Sequence, residues 1–226
     1  MLRRHFIINI ESTIPNNEIY YTSRDGNIVN PYDTNVFGAN IVSNTYEDGK
    51  GVIVFDGSVT SIGHYAFFRC MSLTSIFIPN DVIYIGRDAF NTCEALTSVI
   101  IGTNVTTIGS YAFAFCNLSS VVIPNNVTII ENDAFDGCSS ITSIVIGNDV
   151  RYIGDAAFSG CSSLNSITIP NSVKYISWGC FYDCTILTSI TFEGTIEEWN
   201  SITKGASWNY NVPATVVHCI DGDVEI

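Results

Sequence analysis

The sequence predicts a repeat solenoid, a fold in which short similar units stack along one axis. The chain of 226 residues repeats the pattern V-x-x-I-G-x-x-A-F-x-x-C-x-x-L-T-S-I-x-I-P/G-x-x six times. The units begin at Val59, Val82, Val105, Val127, Val150 and Val173, in steps of 23, 23, 22, 23 and 23 residues. Self-similarity at such a period is typical of solenoids, in which no unit buries its apolar residues alone.

Two apolar positions recur in every unit and predict two columns along the stack. One column consists of Phe67, Phe90, Phe113, Phe135, Phe158 and Phe181. The other consists of Ile76, Val99, Val121, Ile144, Ile167 and Ile190. The second set lies in alternating, β-branched segments, which predict strands. Stacked strands of this kind pair in parallel, about 4.8 Å apart. Proline or glycine then ends each strand, at Pro79, Gly102, Pro124, Gly147 and Pro170.

The repeated unit resembles the BspA-type (treponemal-type) leucine-rich repeat, and the resemblance covers six copies from Val59 to about Gly194. It implies a leucine-rich-repeat solenoid with a parallel β-sheet on one face and a cap at each end. It also implies a non-enzymatic binding module, commonly a bacterial surface adhesin that binds proteins of a host or a neighbouring cell.

The pattern divides the chain into three parts: residues 1–58, the six repeats in residues 59–195, and residues 196–226. Terminal units of a solenoid must cover an open apolar end. We therefore expect an N-terminal β-rich cap or attachment segment in the first part and a C-terminal cap in the last.

Local patterns predict a few elements inside these two flanking parts. Ile19–Ser23 and Asn27–Asn30 surround an Asp-Gly pair and predict a hairpin, and Gly51–Phe55 predicts another strand. Ile196–Ile202 places apolar residues on one side of a short helix, and Ala214–Ile220 predicts a final strand. We expect the tryptophans Trp199 and Trp208 to plug the end of the last repeat.

Composition and charge exclude several classes of partner. The net charge is −13, and all three parts are acidic, so nucleic acids and anionic membranes are poor partners. No apolar run approaches the ~18 residues of a membrane span, and we expect no membrane insertion. The apolar run Phe6–Ile10 is also shorter than the about 7–15 residues of a secretory signal.

Most of the eight cysteines occupy one repeat position: Cys70, Cys93, Cys116, Cys138, Cys161 and Cys184. In a parallel stack their Cβ atoms lie about 5 Å apart, whereas a disulfide requires ~3.8 Å. A straight column cannot provide tetrahedral zinc coordination. We therefore expect free, buried thiols. Cys180 replaces the small Ala of the other repeats, and Cys219 lies outside the pattern.

The sequence contains no catalytic constellation. His5, His64 and His218 are scattered, and no nucleophile elbow, zinc motif or phosphate loop occurs. The alternating carboxylates of Asp221, Asp223 and Glu225 lack the loop spacing of a calcium site, and a solvated acidic end is favoured. We predict no enzymatic activity, no cofactor and no metal.

The outward side of the predicted sheet is the candidate site. The fifth residue of each strand faces outward: Phe77, Ile100, Val122, Val145, Thr168 and Thr191. The third residue lies beside it: Ser75, Ser98, Ser120, Ser143, Ser166 and Ser189. The first four members of each set predict a partner-binding surface. Packing between β-branched neighbours, which stabilises a sheet by itself, is the alternative.

The predicted function is a binding module for adhesion or protein recognition at a bacterial surface, with a protein partner and, by resemblance, a cell-surface or extracellular location. The alternative is a structural or receptor-binding component of a larger particle such as a bacteriophage virion, in which residues 1–58 form the docking part.

Overall fold

The structure, a computed structural model, describes residues 15–226. The run Phe6–Ile10 and His5 therefore lie outside the described residues. The strands are β1 (Glu18–Ser23), β2 (Ile41–Glu47), β3 (Lys50–Phe55), β4 (Ser61–Ile62), β5 (Leu73–Phe77), β6 (Tyr84–Ile85), β7 (Ser98–Ile100), β8 (Thr107–Ile108), β9 (Ser120–Val122), β10 (Ile129–Ile130), β11 (Ser143–Val145), β12 (Tyr152–Ile153), β13 (Ser166–Ile169), β14 (Tyr175–Ile176), β15 (Ser189–Phe192), β16 (Thr203–Lys204), β17 (Val216–Cys219) and β18 (Gly222–Glu225). A helix, α1 (Ile196–Ser201), lies between β15 and β16.

The predicted solenoid and its parallel sheet are confirmed. Strand β5 pairs with β7, β9 with β11, and β13 with β15, all parallel and with equivalent repeat residues opposite each other. These pairs follow one another along the axis, and β17 continues the sheet beside β15. Each step along the axis is therefore one repeat, as the period of the sequence predicts.

A second parallel sheet, absent from the sequence-based prediction, lines another side of the solenoid. Its strands follow the order β16-β14-β12-β10-β8-β6-β4, and each has two residues. In the repeats the second residue of each strand is an isoleucine with no exposed surface: Ile62, Ile85, Ile108, Ile130, Ile153 and Ile176. The two sheets thus enclose one core from opposite parts of each repeat.

The phenylalanine column forms the centre of that core. All six rings are fully buried. Neighbouring rings are stacked, with centroids 5.0–5.7 Å apart and interplanar angles of 4–12°. Aromatic residues continue the column at both ends, because Phe37 packs edge-on against Phe67 and Trp208 packs edge-on against Phe181.

The segment before the repeats forms strands, but not the predicted hairpin. Strand β1 pairs antiparallel with both β3 and β5, whereas Asn27–Asn30 forms no strand. The Asp25 side chain accepts a hydrogen bond from the Asn27 backbone, and Val29 turns into the core. The hairpin of this segment instead joins β2 to β3 through Asp48 and Gly49. The predicted strand Gly51–Phe55 is confirmed as part of β3.

The segment after the repeats follows its predicted pattern. Helix α1 begins with a capping box, in which Thr195 and Glu198 each accept the other's backbone N–H. Trp199 is 1% exposed and packs against Phe192 and Trp208. The final strand falls within the predicted Ala214–Ile220, and β18 pairs antiparallel with β17 beside it. No helix among residues 15–226 is long and apolar enough to cross a bilayer.

Proline and glycine alternate at the strand ends for a steric reason. A Cβ atom on Gly102 would overlap the carbonyl oxygen of Pro79 and lie 2.7 Å from its carbonyl carbon. A Cβ atom on Gly147 would meet the carbonyl group of Pro124 in the same way. The prolines Pro79 and Pro124 are thus each followed, one repeat later, by a residue without a side chain.

We expect Gly102→Ala to lower the free energy of unfolding by about 1–3 kcal/mol, because two backbone segments must separate to admit the methyl group. Urea unfolding followed by circular dichroism measures the change. Gly57→Ala is the matched control: its nearest contact would be an ordinary 3.8 Å from the Ala39 side chain. Equal stability of the Gly102→Ala variant and the parent protein would contradict the steric explanation.

Candidate interaction face

The outward surface of the long sheet, here called the sheet face, carries two rows of side chains that run across its strands. The central row is Val52, Tyr20, Phe77, Ile100, Val122, Val145, Thr168, Thr191, His218 and Asp223. The serine row beside it is Thr22, Ser75, Ser98, Ser120, Ser143, Ser166, Ser189, Val216 and Glu225. The period of the repeats fixes both rows: equivalent residues pair between β5 and β7, β9 and β11, and β13 and β15, whereas β7 lies beside β9, and β11 beside β13, without a strand pairing.

The middle of the central row is apolar and open to solvent. Ile100 is 47% exposed, Val122 61% and Val145 53%. Their serine neighbours, Ser98, Ser120 and Ser143, are exposed as well. These residues follow one another on β7, β9 and β11, so the structure brings six of the eight predicted binding residues together on one open surface.

The other two predicted residues lie on β5, beside strand β1 of the amino-terminal segment. Phe77 is only 9% exposed, so the expectation of an open side chain at this position is wrong. Strand β1 extends the sheet at this edge and places Tyr20 directly opposite Phe77. Ser75 is half-buried, and its hydroxyl lies 2.6 Å from the hydroxyl of Thr22. The exposed apolar row therefore begins one repeat later than the sequence predicts.

Two shallow grooves lie along this open part of the face. The larger, about 570 Å³, is lined by the side chains of Ile100, Val122 and Val145 and by Thr103 and Asn125 from the turns after the strands. The smaller, about 360 Å³, shares Val145 and extends over the next strands. Its lining is more polar and includes Asn148, Ser166, Thr168 and Glu193. An apolar strip flanked by amide and hydroxyl groups is the result.

The two ends of the face differ in charge. At the amino-terminal end, the Lys50 ammonium lies 3.7 Å from the ring centroid of Tyr20, and the Tyr20 hydroxyl donates to Glu18 at 2.5 Å. That bond, with burial, raises the pKa of Tyr20 to about 12. At the carboxyl-terminal end, Glu193, Asp223 and Glu225 are exposed.

The two described histidines make separate hydrogen bonds. In the first repeats, His64 Nδ1 accepts a hydrogen bond from the Arg87 backbone N–H. At the carboxyl-terminal end of the sheet, His218 Nδ1 lies 2.8 Å from Asp223 Oδ1. The Asp221 side chain accepts a hydrogen bond from the Ile196 backbone N–H, whereas Asp223 contacts His218, so the two carboxylates have different partners. Within residues 15–226, no three His, Cys, Asp or Glu side chains are grouped as a metal site.

The cysteine column is structural, with a feature that the sequence did not predict. All eight cysteines are free; Cys70 and Cys219 are half-buried, and the others are buried. Successive thiols donate to the phenylalanine carbonyl of the preceding repeat, as Cys93 does to Phe67 at 3.0 Å and Cys116 to Phe90 at 3.2 Å. Burial raises the pKa of Cys138 and of Cys184 to about 12. These thiols are therefore hydrogen-bond donors as well as small apolar groups.

Comparison with known proteins gives one family and several solved structures. The model of the BspA type leucine-rich repeat region matches residues 12–142 and 128–206, with six copies. A crystal structure of a leucine-rich repeat protein from T. pallidum is similar, with 29% identity and a TM-score of 0.64 over 70% of this chain and 72% of that chain. A leucine-rich repeat protein from Bacteroides ovatus is 30% identical, with a TM-score of 0.49 over 71% of this chain and 45% of that chain.

Comparison with curated proteins gives no match. The family match extends beyond the six regular repeats in both directions, into the strands before Val59 and into helix α1. Together with the period, the stacked phenylalanines and the parallel sheet, the match is decisive: the chain belongs to the BspA-type leucine-rich repeat family.

Proposed function

We propose that this chain is a non-enzymatic recognition module that binds a partner protein at a bacterial surface through the sheet face. The observation that carries the proposal is the run of exposed aliphatic side chains at Ile100, Val122 and Val145 on three consecutive strands. A contiguous apolar strip with a polar border commonly marks a protein-binding surface. The surface location rests on the family resemblance.

The rigidity of the face supports this function. Strand β7 is paired through main-chain hydrogen bonds with β5, and β9 with β11, and the stacked core lies beneath all of them. Binding then orders little of this chain, which lowers the entropic cost of association. The exposed hydroxyls of the serine row lie beside the apolar strip and are suited to hydrogen bonds with a partner's polar groups.

We propose that both flanking segments act as caps. Before the repeats, β1 covers the free edge of β5, and Phe37 closes the end of the phenylalanine column. After the repeats, Trp199 and Trp208 close the other end, and β18 covers the edge of β17. Solenoids need such end units because the stack otherwise exposes core residues.

The test replaces Ile100 with aspartate and compares capture of proteins from bacterial and mucosal surface extracts. We expect the captured protein to be lost or weakened at least tenfold, because an unpaired carboxylate becomes buried against the partner. Ile83→Asp is a matched control, since Ile83 is also 47% exposed but precedes β6 of the second sheet.

Thermal unfolding of both variants must stay close to that of the parent protein for the comparison to hold. Capture that survives Ile100→Asp and Val122→Asp, but is lost with Ile83→Asp, would place recognition on the other sheet and contradict the proposal.

A further inference from the structure

The charge of the sheet face is distributed unevenly, and the unevenness bears on the chemistry of the partner. Asp223 ends the central row, because it pairs with His218 on β17, which in turn pairs with Thr191 on β15. Glu225 ends the serine row opposite Val216. Glu193 follows Thr191 by two residues and therefore faces the same side of the sheet.

The cations near these carboxylates are few. Among residues 15–226, the Arg87 guanidinium pairs with the Asp88 carboxylate, and the His218 imidazole is hydrogen-bonded to Asp223. Neither includes Glu193 or Glu225, and both of these residues are exposed. Lys204, the basic residue of the carboxyl-terminal segment, donates to the carbonyl oxygens of Trp199 and Ile202. The carboxyl-terminal end of the face thus presents negative charge to the solvent.

The other end of the face has a different character. Lys50 and Glu18 both contact Tyr20, so opposite charges lie side by side around one ring. Between the two ends lies the apolar strip formed by Ile100, Val122 and Val145. Along the central row and the serine row, the exposed carboxylates therefore lie on the carboxyl-terminal side of the aliphatic side chains.

We infer that the face binds an extended protein segment that carries aliphatic residues in one part and lysine or arginine in the adjoining part. This inference rests on the proposed binding function of the face. Val145 on β11 is two strand steps from Glu193, the residue after β15, and four from Asp223 on β18, which corresponds to about 10 and 19 Å. In the complex, the aliphatic residues of the bound segment contact the apolar strip, and its basic residues lie near Glu193 and Glu225.

A basic partner also agrees with the charge of the whole chain. The net charge of −13 attracts a cationic segment over long range and raises the association rate at low salt. A second copy of this chain carries the same negative charge, and contact between two such faces would bring like charges together. Complementary charge therefore favours a different protein as the occupant.

The test uses a displayed library of random 12-residue peptides, which reach about 40 Å when extended. Peptides are selected on the parent protein at low salt and counter-selected against Val122→Asp. We expect the selected peptides to combine aliphatic residues with lysine or arginine. Their binding should weaken at least tenfold in the double variant Glu193→Gln, Glu225→Gln, and it should also fall at high salt.

A matched double variant, Glu94→Gln with Glu197→Gln, removes two exposed carboxylates elsewhere and should bind as the parent does. Peptides that need Val122 but ignore Glu193, Glu225 and salt would overturn this inference and leave the proposed function standing. Peptides that bind Val122→Asp equally well, or no selected peptides, would count against both. Sedimentation showing a dimer of the parent protein that Val122→Asp dissociates would identify a second copy as the occupant and overturn the inference.

Discussion

Replacing Phe113 with alanine should lower the free energy of unfolding by about 3–5 kcal/mol. The ring is fully buried and stacks on Phe90 at 5.0 Å and on Phe135 at 5.3 Å. Truncation removes the apolar surface of the ring and leaves a cavity between two repeats. Because each repeat is stabilised mainly by its neighbours, the loss falls on the interfaces above and below.

Phe115→Ala is the matched control for this experiment. Phe115 lies in the same repeat but is 50% exposed, so its truncation removes less buried surface than that of Phe113, and we expect a loss of about 1 kcal/mol. Urea unfolding of both variants, with circular dichroism and tryptophan fluorescence as independent probes, measures the two changes. Similar losses for both variants would show that the column is not the main source of stability.

The phenylalanine column was predictable because a phenylalanine occurs at the same position in all six repeats. Each phenylalanine recurs at one position of a fixed period, and stacking is the arrangement in which equivalent residues meet. The inward isoleucines of the long sheet follow from alternation in the same way. The second sheet was not predictable by this route, since strands of two residues, such as Ser61–Ile62, are too short to show alternation.

The candidate site was only partly predictable. The exposed row at Ile100, Val122 and Val145 follows from the repeat alone. The burial of Phe77 depends on β1, which lies more than fifty residues earlier in a segment without the repeat. The acidic end of the face depends on β18, which folds back onto β17. Pairing outside the repeated units leaves no period in the sequence, so the repeat could not predict either edge.

The buried thiols lead to a large expected effect of pH on stability. Raising the pH from 8 to 9.5 should lower the free energy of unfolding by about 1 kcal/mol for each buried thiol. Six cysteines are buried: Cys93, Cys116, Cys138, Cys161, Cys180 and Cys184. Together they should remove about 6 kcal/mol, which is comparable to the whole stability of many domains.

The direction follows from proton binding in the two states. An unfolded thiol titrates near a pKa of about 8.5, whereas burial raises the pKa of Cys138 and of Cys184 to about 12 and that of Cys161 well above its usual value. Above pH 8.5 the unfolded chain has lost thiol protons that the folded chain retains. Stability is therefore fully present below pH 8.5 and falls as the pH rises toward the folded-state pKa values.

Urea unfolding at pH 7.5, 8.5 and 9.5 and constant ionic strength measures this slope, and the upper limit keeps most tyrosines protonated. Cys138→Ala provides the control: it loses its bond to the Phe113 carbonyl and starts less stable, but its slope should be smaller by about one proton. An unchanged slope in Cys138→Ala would show that other groups cause the alkaline loss. If the parent protein is equally stable at pH 7.5 and 9.5, folding does not protect the thiols from ionisation. That result would contradict the burial of the cysteine column.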